Sequence, residues 1–148
     1  MKAIPEYEQK WALRMLRLAD HVAQWSKDPS TKVGAVIADS EMRIISLGYN
    51  GFPRTVLDSI ARYENRELKH KMVVHAEANA ILNARTNVTT CTLYTTMFPC
   101  TECTKLIIQS GIMQIYYMNI LTHAPWGEDV NIAQSMLSES FVPAIQIQ

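Results

Sequence analysis

The stretch HAEANAILNARTNVTTCTLYTTMFPCTECTKLIIQSGIMQIYY, His75 to Tyr117, alternates between two local patterns. His75–Arg85 is rich in Ala, Ile, Leu and Glu and reads as a helix. Thr92–Thr96 reads as a short strand. Cys100–Ser110 reads as a second helix, with Gly111 as its C-terminal cap, and Ile112–Tyr117 as a second strand. A strand, a helix and a strand in succession imply a parallel crossover, since antiparallel neighbours need only a short turn.

The flanks extend this alternation. Trp11, Met15, Leu18, Val22 and Trp25 recur at helical spacing, so Glu6–Trp25 reads as an amphipathic helix. Lys27-Asp28-Pro29-Ser30 ends it, because Pro29 disfavours helix in the residue before it. Val33–Ala38 and Arg43–Tyr49 are β-rich runs separated by Asp39-Ser40-Glu41 and read as an antiparallel hairpin. The charged segment Ile60–Met72 reads as a solvated helix with Glu67 four residues before Lys71; its other reading is an oligomer- or phosphate-facing surface. Asp129–Leu137 reads as a helix and Val142–Gln148 as a last strand. The order helix, strand, strand, helix, strand, helix, strand, helix, strand predicts an α/β chain. Helices should cover both faces of a mixed sheet, in one domain over residues 1–148.

Composition narrows the function classes. The 148 residues carry 14 Lys+Arg against 14 Asp+Glu, with 48% hydrophobic and 19% charged residues. This is a globular composition, neither disordered nor collagen-like. A neutral chain lacks the basic footprint of a polynucleotide binder, so contact with a nucleotide must come from a local site. Three cysteines are too few for a disulfide scaffold. The N-terminal MKAIPEYEQKWALRML has no long apolar core of a secretory signal, and no run nears the roughly 20 apolar residues of a membrane span. The expected compartment is the cytoplasm, without a membrane partner.

Both helices of the opening stretch begin with possible metal ligands. Cys100 and Cys103 are three apart and share one helical face; His75 and Glu77 are two apart and do not. His75 is therefore the expected ligand and Glu77 points aside. Two thiolates and one imidazole suit Zn²⁺, and a three-residue set leaves the fourth tetrahedral position open, as in catalytic sites. Zinc lowers the pKa of a bound water from about 15.7 toward about 7. Glu77 can then take the water's proton and deliver it to a substrate. Cys91 stands apart and reads as a small buried hydrophobe. Tyr116 and Tyr117 should face opposite sides of the sheet, one toward the core and one toward the site.

H-x-E followed by P-C-x-x-C is the signature of the zinc nucleobase deaminases. The chain resembles the cytidine and deoxycytidylate deaminase superfamily, most narrowly the deoxycytidylate deaminases, through HAEANAIL at His75–Leu82 and FPCTECTKLIIQSGI at Phe98–Ile112. SKDPSTKVGAVI at Ser26–Ile37 and GYNGFPR at Gly48–Arg54 point to the nucleotide-level branch. The resemblance implies a three-layer α/β/α sandwich with a five-stranded mixed sheet. It implies His75, Cys100 and Cys103 as zinc ligands, Glu77 as proton shuttle, and Asn50 as a contact to the sugar or base. It also implies a homo-oligomer, often a hexamer in this family. Phosphate recognition is expected from Ser26, Lys32 or Arg54, with Lys27 beside them. Phe98 is expected to wall the base pocket near pyrimidine C5, with Tyr117 as a further substrate contact. After GYNGFPR the chain reads Thr55-Val56-Leu57-Asp58-Ser59, where regulated members carry Gly-Cys and paired acids. Control by dCTP and dTTP is therefore not implied. The expected reaction is hydrolysis of dCMP to dUMP, which supplies a thymidylate precursor. The alternative is another cytosine nucleotide or nucleoside, including a 5-substituted dCMP. A tRNA adenosine deaminase and a non-catalytic zinc module rank below both.

Overall fold

The computed structural model describes residues 4–148. Its centre is β1 (Gly34–Ala38), every residue of which is buried. Such a strand must be apolar on both sides, and Gly-Ala-Val-Ile-Ala is. β1 pairs antiparallel with β2 (Ile44–Tyr49) and with β3 (Thr92–Met97). β3 runs parallel to β4 (Gln114–Asn119), and β4 parallel to β5 (Ala144–Gln146). The order β2-β1-β3-β4-β5 makes the expected five-stranded mixed sheet.

The two faces bury different helices. α1 (Glu6–Ala23) lays Ala12, Met15, Leu16 and Ala19 against Val36, Ala38, Tyr94 and Tyr116. On the other face, α4 (Ala76–Asn83), α5 (Thr101–Gln109) and α6 (Trp126–Glu139) cover Ala35, Ile37, Leu93, Ile115 and Tyr117. The result is the α/β/α sandwich, with α1 alone in its layer. Two glycines set how closely helices approach the sheet. A Cβ on Gly34 would lie 1.9 Å from the Ala19 carbonyl oxygen, and one on Gly48 would lie 2.2 Å from that of Ala76. The chain comes within reach of α1 and α4 only because neither position has a side chain.

Several sequence expectations shift. The charged segment is two short helices, α2 (Ile60–Glu64) and α3 (Arg66–Met72). Asn65 separates them in an extended conformation, and its side chain accepts the Leu68 amide as the N-cap of α3. The segment is not wholly solvated either, since Tyr63 and Lys69 are buried. α6 starts at Trp126, three residues before the expected Asp129. The last strand is short, although the Ile147 amide still donates to the Tyr117 carbonyl. Tyr116 and Tyr117 do face opposite sides, but both are buried in the core.

Candidate active site

α4 and α5 both begin at the same end of the sheet, and each brings ligands there. His75 is the N-cap residue of α4 and Cys100 that of α5, with Cys103 in the first turn of α5. The His75 Nδ1 lies 3.3 Å from the Cys100 Sγ and 3.5 Å from the Cys103 Sγ. The three ligand atoms all fall within 4.8 Å of one another. Among the described residues this is the one His/Cys/Asp/Glu cluster of metal-binding geometry. An imidazole nitrogen and two sulfurs gathered this closely fit a zinc ion.

The supports of these ligands are polar. α4 is fastened to β2 by Ser46, whose hydroxyl donates to the Ala80 carbonyl at 2.6 Å. The Asn79 amide donates to the Tyr49 carbonyl, and the Asn83 amide to that of Leu47. α5 is fastened by Asp129 of α6, which accepts from the Thr101 amide at 3.0 Å and from the Thr101 hydroxyl. That carboxylate satisfies an open donor in the first turn of α5 and complements its positive dipole end.

Electrostatics divide the cysteines. A hydrogen bond from Cys103, helped by His75, brings the Cys100 thiol down to about 4. The same bond, with burial and the nearby Glu77 carboxyl, pushes the Cys103 thiol up. The Cys100 sulfur raises the His75 imidazole above its ordinary value. Of the two sulfurs, Cys100 is the one favoured as thiolate.

Glu77 lies in the first turn of α4, 4% exposed, and is not part of the ligand cluster. Its Oε2 is 3.6 Å from the Cys103 sulfur. The Thr95 hydroxyl lies 3.3 Å from its Oε1 and 3.1 Å from the Met97 carbonyl, so the two acceptors compete for one hydroxyl proton. Burial raises the Glu77 carboxyl, which lets it hold a proton at higher pH than a solvated glutamate.

A cavity of about 650 Å³ opens onto this cluster, lined by His75, Glu77 and Cys100 at one part of its wall. Val33, Asn50, Met97, Phe98, Leu121, Trp126 and Val130 line it as well. Phe98 is held edge-on against Tyr117, ring centroids 5.0 Å apart. Tyr117 stands behind the wall rather than in it. Asn50 lines the cavity, while its amide braces the adjacent loop: Oδ1 accepts from the Val33 amide and Nδ2 donates to the Thr31 carbonyl, both at 2.8 Å. Ser26 is buried behind it, donating to the Asn50 carbonyl and accepting from the Asp28 amide.

Lys32 and Arg54 are exposed and do not line the cavity; Arg54 donates to the Asn83 side chain at 3.0 Å. Lys27 is exposed and pairs with Asp58. Cys91 is buried with Val88 and Ile112, away from the metal cluster. The basic side chains in the cavity wall come instead from α3: Arg66, Lys69 and His70. Sequence reasoning passed over them because they sit in a run of mixed charge. The one available signal was the named alternative of a phosphate-facing surface.

Lys69 is 8% exposed, with its Nζ 3.0 Å from Asp28 Oδ2 and 2.8 Å from Ser30 Oγ. Burial by itself would raise the Asp28 carboxyl. The Ser30 and Thr31 amides and Lys69 together hold it below the ordinary carboxylate range.

Comparison with known proteins agrees with this geometry. Residues 9–119 match the family model described as "Cytidine and deoxycytidylate deaminase zinc-binding region". An "Uncharacterized deaminase in luxG 3'region" of Aliivibrio fischeri is 44% identical over 135 residues, covering 90% of each chain. A "Probable deoxycytidylate deaminase" of Caenorhabditis elegans is 46% identical over 109 residues, 71% of this chain, and the match spans 55% of that relative's length. The crystal structure of dCMP deaminase from cyanophage S-TIM5, in complex with dCMP and dUMP, superposes with a TM-score of 0.74. It covers 98% of this chain and 99% of its own at 23% identity, a likeness that bears on the fold. With His75, Cys100 and Cys103 gathered for zinc beside a buried Glu77, the chain belongs to the zinc-binding family of cytidine and deoxycytidylate deaminases.

Proposed function

We propose that the protein hydrolyses dCMP to dUMP and ammonia in a single deaminase domain, with Glu77 as the catalytic residue. The observation that carries this reading is the buried Glu77 carboxyl beside a His75–Cys100–Cys103 cluster at the wall of a nucleotide-sized cavity. The relative named as a probable deoxycytidylate deaminase supports the choice of substrate.

His75, Cys100 and Cys103 hold the metal. When bound, zinc supplies the Lewis acidity that makes water a nucleophile near neutral pH. The remaining work belongs to the chain. Glu77 accepts the proton lost by the attacking water and passes it to the ring nitrogen beside C4; it then takes the proton of the new C4 hydroxyl and delivers it to the amino group, which leaves as ammonia while C4 becomes a carbonyl. Phe98 offers the base an aromatic wall close to C5, and Tyr117 fixes the ring from behind. Asn50 keeps one N–H and one lone pair beyond its two loop bonds, available to sugar or base. Val33, Leu121 and Val130 exclude water. We assign the working form to a homo-oligomer, six subunits being frequent in the family. Exposed Leu57, Ile60 and Leu82 support it as apolar side chains available for contact between copies. The cytoplasm is the proposed compartment; no helix among the described residues is long and apolar enough to cross a membrane.

The test is incubation of zinc-loaded protein with deoxycytidine, CMP, dCMP and 5-substituted dCMPs, followed by ammonia release. The expected result is fastest turnover of dCMP. Glu77→Ala should lose about 10²- to 10⁴-fold in kcat with its zinc content unchanged. Release of ammonia from none of these compounds would overturn the reading, and an unchanged rate in Glu77→Ala would overturn the role given to that residue.

A further inference from the structure

On the reading that the substrate is a cytosine nucleotide, we propose that Arg66 anchors its phosphate, held open for that purpose by His70 and Trp126. The cavity wall carries three basic side chains besides the metal ligand His75: Arg66, Lys69 and His70. Lys69 is committed to Asp28 and Ser30. Arg66 has no carboxylate at salt-bridge distance among the described residues. Its Nε donates to His70 Nε2 at 3.4 Å, and its guanidinium carbon lies 5.8 Å from the centroid of the Trp126 ring. His70 packs against the same ring, 6.0 Å between centroids.

These contacts use one nitrogen and one face of the guanidinium. They leave the two terminal nitrogens side by side, a planar fork that matches two oxygens of one phosphate. Arginine spends little additional entropy on such a bond when its plane is already fixed. The chain has no net charge with which to draw in an anion, so attraction must be local. Arg66 touches the substrate in this proposal; His70 and Trp126 are positioning residues.

The experiment measures calorimetric binding of dCMP and of deoxycytidine to the zinc-loaded protein, beside steady-state turnover of both. Arg66→Ala should weaken dCMP binding about 10- to 100-fold, the worth of a hydrogen bond to a charged group, and leave deoxycytidine within about twofold. The loss should fall on KM more than on kcat. Arg66→Lys should recover part of the affinity, and His70→Gln, which keeps an acceptor for Arg66, should lose less than His70→Ala. Equal losses for the two ligands, or no loss in Arg66→Ala, would overturn the assignment. So would a phosphate-selective loss in Lys32→Ala or Arg54→Ala in its place. If the unmodified protein binds dCMP through Arg66 but releases no ammonia, the deamination reading fails and the anchor stands.

Discussion

Lys69 is the residue whose surroundings least resemble its sequence context. It lies among Arg66, Glu67, His70 and Lys71, yet its ammonium is buried against Asp28. Removing one partner of such a pair leaves an uncompensated charge, so Lys69→Met should cost about 3–5 kcal/mol in denaturant unfolding at pH 7. The pH dependence follows from Asp28. Its folded carboxyl lies below the unfolded value near 3.9, so its stabilisation is present above that value and lost as pH falls through the folded one. The difference between wild type and Lys69→Met should therefore be full at pH 6–7 and shrink below about pH 4. A difference independent of pH would show that packing, not charge, accounts for the loss. The ligands were legible because metal chemistry restricts both residue type and spacing. Lys69 was not, because burial of a charge is decided by what packs over it, here a loop 41 residues earlier in the chain. Lys32 and Arg54, the phosphate candidates nearest the recognised motifs, are exposed and do not line the cavity.

At the scale of elements, the site depends on how α4 and α5 meet the sheet. Gly48 lets α4 approach β2, since a Cβ there would lie 2.2 Å from the Ala76 oxygen and 2.4 Å from the Ala80 nitrogen. Both are backbone atoms of the helix that carries Glu77, so the strain of Gly48→Ala cannot be relieved by turning a side chain. The variant should lose about 1–3 kcal/mol or more of stability, and lose activity with it. Gly51→Ala, whose new methyl group would meet nothing closer than the Tyr63 hydroxyl at 3.9 Å, should stay within about 1 kcal/mol in the same thermal melts. Equal melting temperatures for the two variants would show that α4 is not fixed at this contact. Element types were readable from periodicity and propensity for every strand and for the helices that cover the sheet. Their ends were less so. Asn65 breaks a helix-like charged run because its side chain caps the next turn, and Trp126 begins α6 ahead of the acidic residues that resemble its start.

Across the molecule, the three ligands tie together elements that the chain keeps apart. His75 closes the segment that follows β2, whereas Cys100 and Cys103 follow β3, and the two groups meet only at the end of the sheet. A metal that binds this arrangement and not the unfolded chain stabilises the fold by mass action, by about 4 kcal/mol at a thousandfold excess over its Kd. For a domain of this size that is a shift in Tm on the order of 10 °C. Chelation should lower the Tm by about that amount, and added zinc should restore it. Cys103→Ser should neither gain the increment nor recover it. Glu77→Ala should keep it in full, because its carboxyl lies outside the ligand set. Differential scanning calorimetry of the three proteins, with and without zinc, separates the two roles that one end of the sheet combines. A Tm that ignores chelation would remove the metal from the stability of the fold, and a Glu77→Ala protein that no longer responds to zinc would move Glu77 from proton carrier to ligand.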